Sequence, residues 1–119
     1  MYPAPPSDVI AKLIGRSVEM ISFVKYGVHL SLDNEDNIGI ACPFRFDRQD
    51  AIAESPVQDF PLVSSTMIRV IGASVDQAAC EADGTLEVRF DNGDCLIAYA
   101  NDPSYEAYTL SIDGIEYIV

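Results

Sequence analysis

The chain has no tryptophan and a single histidine, and its seven basic residues face nineteen acidic ones, a formal net charge of −12 over 119 residues. So few Lys and Arg argue against nucleic acid and against anionic membrane surfaces, both of which are held by clustered positive charge. No apolar run approaches the roughly 20 residues of a membrane-spanning helix. The opening Met1-Tyr2-Pro3-Ala4-Pro5-Pro6 also lacks the basic-then-apolar pattern of a secretory leader. Cys42, Cys80 and Cys95 cannot all pair with one another and share no Cys-x-x-Cys spacing, which fits a reducing compartment. A cytoplasmic setting is therefore expected, with Cys42 and Cys95 as small buried hydrophobes.

Signatures of chemistry are equally scarce. His29 lies on the polar side of a strand-like run, and no Ser-His-Asp or Cys-His arrangement is recognisable around it. The three cysteines and His29 match no zinc spacing, and the acidic stretches 33–36 and 91–94 lack the ligand spacing of a calcium loop. No glycine-rich phosphate cradle occurs. The expectation is a protein with no catalytic residues, no metal site and no cofactor.

What the chain does have is a core. Apolar residues make up 49% of it, enough for one domain spanning residues 1–119. Ser7 reads as an N-cap, with Val9, Ile10, Leu13 and Ile14 on one face of a short helix that Gly15 stops. Val18 to Val24 is apolar on both alternating sets, as in a strand covered on two faces. Val28, Leu30 and Leu32 alternate with polar residues, and Ile38 to Cys42 returns after a polar turn. Phe44-Arg45-Phe46 could extend a strand edge, and residues 47–54 a helical turn. Leu62, Val63, Met67, Val70 and Ile71 suggest a second short helix ending at Gly72. Strand-like segments follow from Val75, from Leu86 to Phe90 and from Cys95 to Ala100. Asn92-Gly93 between the last two predicts a type I′ hairpin. Further strands run through Tyr108, Leu110 and Ile112, and from Ile115 to Val119.

The halves resemble each other. Lys12-Leu13-Ile14-Gly15-Arg16-Ser17-Val18-Glu19 aligns with Arg69-Val70-Ile71-Gly72-Ala73-Ser74-Val75-Asp76, seven of eight positions being alike. Val28-x-Leu30-x-Leu32-Asp33-Asn34 aligns with Leu86-x-Val88-x-Phe90-Asp91-Asn92, one residue further on. An internal repeat of residues 9–42 and 66–100 is expected, with extra C-terminal strands in 105–119. The fold class is mainly β, at the margin of α+β: two similar antiparallel β-meander halves, each preceded by a short helix.

The segment Asp83-Gly84-Thr85-Leu86-x-Val88-x-Phe90-Asp91-Asn92-Gly93, followed by Tyr105-Glu106-Ala107-Tyr108, resembles small bacterial β-rich proteins of the polymorphic-toxin immunity type. In that group a tryptophan usually stands at the place of Tyr108. The resemblance implies an immunity protein that neutralises a cognate toxin. The charge distribution points the same way, because residues 70–119 hold ten acids and one base, Arg89. A field of that sign attracts a basic protein partner and speeds its encounter. Exposure logic nominates the hairpin tips Asp33, Glu35, Asp36, Asp91 and Asp94, and the turn residues Asp102, Tyr105 and Glu106, as partner-binding residues. The alternatives are a structural or assembly module, such as a homodimer joined at an uncovered sheet edge, and a small-molecule-binding protein or enzyme.

Overall fold

The structure is a computed structural model that describes residues 4–50, 55–100 and 106–119. It is mainly β. One short helix, α1 (Ser7–Ile10), continues as a 3₁₀ turn to Leu13. Nine strands follow among the described residues: β1 (Val18–Val24), β2 (Gly27–Leu32), β3 (Asn37–Ile40), β4 (Phe44–Asp47), β5 (Val75–Cys80), β6 (Leu86–Phe90), β7 (Cys95–Ala98), β8 (Tyr108–Ile112) and β9 (Ile115–Ile118). They form two antiparallel sheets, in the orders β1-β2-β3-β8-β9 and β4-β7-β6-β5.

The alternation of apolar residues gives each sheet one inward face. Val28, Leu30, Ile38, Ile40, Tyr108 and Leu110 from the first sheet share one core with Phe44, Phe46, Leu86, Val88, Phe90 and Leu96 from the second. Ile10, Leu13, Met67 and Val70, from the turns that precede β1 and β5, complete it. β2 pairs with β1 through Leu30↔Ile21 and with β3 through Leu30↔Ile38; β6 pairs with β5 through Val88↔Ala78 and with β7 through Val88↔Leu96. β1 and β5 each carry a register shift just after their first residue, at Val18/Met20 and at Val75/Gln77.

Each three-stranded unit then sends its next strand across. β4 follows β3 in sequence but pairs with β7, through Phe44↔Ala98 and Phe46↔Leu96. β8 follows β7 but pairs with β3, through Tyr108↔Ile40 and Leu110↔Ile38. The two units also meet where β1 and β5 begin, at the antiparallel bridge Ser17↔Ser74. Four backbone bonds flank that bridge: Gly15 N to Val75 O, Gly72 N to Val18 O, Val18 N to Ala73 O and Val75 N to Arg16 O, all 2.8 Å.

Several sequence expectations need correction. Ser7 does not cap the helix. Pro6 holds the N-cap position, and its carbonyl accepts the first amides, from Val9 and Ile10. β1 is not covered on two faces: it is an edge strand, and Met20 and Val24 are more than half exposed. The second helix shrinks to a 3₁₀ turn at Met67–Val70, and Leu62 and Val63 lie outside it. Phe44–Phe46 is a strand, but of the opposite sheet. The turn at Asn92-Gly93 is not type I′, because only Gly93 has positive φ. Both residues do at Asn34-Glu35, with φ 60° and 62°, and at Asp113-Gly114, with φ 52° and 79°, so the mirror-image geometry falls on two other hairpins. Of the helical turn expected within 47–54, Asp47 instead ends β4 and residues 51–54 lie outside the described residues, as does residue 105 at the start of the 105–119 segment.

Gly15 and Gly72 sit at φ +91° and +89°, and a Cβ built on either meets nothing within 4 Å. Substitution there tests conformation alone. Gly15→Ala and Gly72→Ala should each cost about 1–2 kcal/mol in urea unfolding, the penalty of a Cβ in left-handed backbone. Ala82→Gly in the exposed turn between β5 and β6 should leave the midpoint nearly unchanged.

Candidate functional site

The nominated acids fall into two places. At one end of the sheets, the turns after β2 and β6 carry Asp33, Glu35, Asp36, Asp91 and Asp94. Two of these do not project as exposure logic required. Asp36 is 1% exposed and Asp94 is fully buried. A hairpin tip is solvated only where nothing packs on it, and here the ends of the crossing strands do. Asp36 accepts the Asp113 backbone N–H at 3.0 Å, just past β8, and the Arg16 Nε–H at 3.1 Å. Asp94 accepts the Gln49 N–H at 2.9 Å, just past β4, and Arg69 donates to it through Nε at 2.9 Å and Nη2 at 3.3 Å. The Asn92 amide adds a bond to Asp94 at 3.1 Å. Each buried carboxylate therefore ties down a visiting strand and is neutralised by an arginine. The hydrogen bond to Asp94 in turn holds Arg69 above its ordinary pKa.

Asp33 and Asp91 also work locally. The Asp33 carboxylate accepts the Ser17 N–H at 3.1 Å while its own N–H donates to the Ser17 carbonyl at 3.0 Å. Asp91 makes the same reciprocal pair with Ser74, at 3.0 and 2.9 Å. Both clamp the bridge between the units. Asp91 and Glu35 keep exposed side chains, and Asp33 is half-buried. Asp102 and Tyr105 lie outside the described residues.

Glu106 is exposed at the opposite end of the β3–β8 pair, on the outer face of the first sheet. It lines an open bay of about 400 Å³ together with Tyr26, His29 and Thr109, over a floor that includes Gly27 and Gly39. Lys25 also borders it, its ammonium 5.2 Å from the centre of the Tyr26 ring. Of this group sequence reasoning nominated only Glu106 as a contact residue, and placed His29 on the polar side of its strand without a role. The signal it passed over was small residues, Gly27 and Gly39, inside strands where β-branched residues would be ordinary.

The thiols are not activated. Burial pushes Cys42 and Cys95 from 9.0 up to about 11, and all three cysteines are free. Cys80 is also raised by burial, against the opposing effect of its contact with the Tyr108 hydroxyl. Tyr108, standing where the resembled group has tryptophan, is buried and donates from its hydroxyl to the Gly84 carbonyl at 2.7 Å. Among the described residues no group of three His, Cys, Asp or Glu could hold a metal ion, and no helix is long and apolar enough to cross a membrane.

The ion pairs give the surface its sign. Lys12, Arg16, Arg45, Arg48, Arg69 and Arg89 each lie within 4.0 Å of an acid. Glu19, Glu35, Asp76, Glu81, Glu106 and Glu116 stand exposed. Fold and site together define an acidic, two-sheet β protein with crossed strands and a bay on one outer face. The chain belongs to a family of unknown function, DUF6188, whose model matches residues 9–119. No curated protein and no solved structure gives a match.

The two kinds of acid separate under mutation. Asp94→Ala leaves Arg69 without its buried partner and the Gln49 amide without its acceptor, and should cost about 3 kcal/mol of unfolding free energy. Glu35→Ala should stay within about 0.5 kcal/mol of the parent. Chemical denaturation of the two variants checks both values.

Proposed function

We propose that this chain is an acidic protein-binding module that neutralises a cognate bacterial toxin by covering its basic surface. The observation that carries the reading is the division of charge: most bases are spent on pairs with acids, whereas a further set of acids faces solvent. An exposed negative field steers a basic partner into encounter, and its effect weakens as salt screens it. The immunity-type resemblance of residues 83–108 names the class of partner. An intracellular setting is part of the same proposal.

A second reading has its own support. Among the described residues no strand pairs with the outer edge of β9, and Ile115 beside that edge is about half exposed. An uncovered edge offers its free N–H and C=O groups to another strand, including that of a second copy.

One experiment separates the readings. Tagged full-length protein serves as bait in a lysate of the source cells, with elution in steps of rising salt. The module reading expects a basic protein that leaves the bait as salt rises. That protein should arrest growth when expressed alone, and co-expression of the bait should restore it. Recovery of nothing but further copies of the bait at every salt step contradicts toxin neutralisation and favours the homodimer.

A further inference from the structure

The molecule supplies its own control for the bay. β2-β3 and β6-β7 share one register at an offset of 58 residues, so Val28↔Ile40 corresponds to Leu86↔Ala98 and His29↔Gly39 to Glu87↔Ile97. Position 41 corresponds to 99: Ala41 N donates to Ala107 O, and Tyr99 N to Pro43 O, as each third strand meets its visitor. In the second sheet these positions carry Thr85, Ile97 and Tyr99. In the first they are stripped to Gly27, Gly39 and Ala41. The same backbone is thus built up on one sheet and hollowed on the other, and the hollow is the bay. His29 exploits it: a Cβ on Gly39 would lie 2.9 Å from the imidazole Nδ1, so only glycine lets the ring lie flat across the strand.

The walls define what fits. The His29 imidazole, laid over Gly39, makes part of the floor flat, which suits a planar group. Tyr26, Thr109 and Glu106 line the space around it and bring an aromatic ring, a hydroxyl and a carboxylate to the bay. The Lys25 ammonium is engaged with the Tyr26 ring. With the chain at −12 overall, an anion is repelled and a cation drawn in. A guanidinium is planar, always charged, carries donors in a fork that matches a carboxylate, and stacks on aromatic faces. An ammonium shares only the charge.

We propose that the bay seats an arginine side chain presented by the basic partner. The partner half of this statement rests on the protein-binding reading; the guanidinium half stands on the bay alone. Arginine anchors in central pockets carry much of the energy of protein interfaces.

The test uses the full-length, ¹⁵N-labelled protein at low salt, titrated with N-acetyl-arginine amide and separately with N-acetyl-lysine amide. The arginine probe should shift the Gly27, Gly39 and Thr109 amides to saturation with roughly millimolar affinity, as suits a single side chain. Glu106→Gln should weaken it roughly tenfold, the worth of one charge-assisted hydrogen bond. Ala41→Tyr, which restores the residue found at position 99, should abolish the shifts at unchanged melting temperature, since Ala41 is exposed. Failure to saturate, equal response to the lysine probe, or parent-like binding by Ala41→Tyr overturns the guanidinium site. The salt-eluted capture then separates the two claims. If Ala41→Tyr still retains the basic partner as tightly as the parent, the anchor falls and the module reading stands. If the arginine probe saturates but no basic protein is ever captured, the guanidinium site stands and the module reading falls.

Discussion

Everything in this molecule depends on two strands being held in a sheet to which the strand before each of them does not belong. β4 and β8 each leave one three-stranded unit and complete the other. Short ladders bind them there, and an end that is free to fray would open the inner face of Phe46 or Leu110 to water. Asp36 and Asp94 close those ends. Each places a carboxylate oxygen on the first or second backbone amide beyond the visiting strand, at 3.0 and 2.9 Å. Burying a carboxylate is costly unless it is paired and hydrogen-bonded. Arg16 and Arg69 meet that condition, and among the described residues no buried side-chain nitrogen or oxygen is left without a partner.

This arrangement explains which parts of the fold could be read from the sequence. The strand alternation, the hairpin turns and the matching stretches around Gly15 and Gly72 are local signals, and the mainly β class follows from them. Where β4 and β8 go is not local. Phe44-Arg45-Phe46 looks the same whether it extends β3 or joins β7, because both choices bury the two phenylalanines. The acids at the hairpin tips were misjudged for the same reason: Asp36 and Asp94 are buried by chain segments that arrive from the other unit. Met20 and Val24 made β1 look like an interior strand, although β1 is an edge strand on which both side chains are more than half exposed. The bay was hidden in another way, since its clearest mark is what Gly39 and Ala41 lack beside Ile97 and Tyr99.

The division among the acids connects the fold to the proposed function. Asp33, Asp36, Asp91 and Asp94 are engaged in holding strands and turns, and the arginines they draw in are removed from the surface charge. What remains outside is weighted towards Glu19, Glu35, Asp76, Glu81, Glu106 and Glu116. One compositional excess thus serves two ends, with buried carboxylates as internal pins and exposed ones as the field that a basic partner would meet. Glu106 stands apart from the other nominated acids because it borders a cavity, where a charge can recognise a group rather than only attract it.

The crossed strands and their pins are tested most directly by native-state hydrogen exchange at the Gln49 and Asp113 amides. If the buried carboxylates hold the ends of β4 and β8, these two amides exchange only when the whole molecule opens, with the same free energy as the core amides of β2 and β6. Exchange at the rate of an open turn amide, such as that of Gly114, would contradict the account.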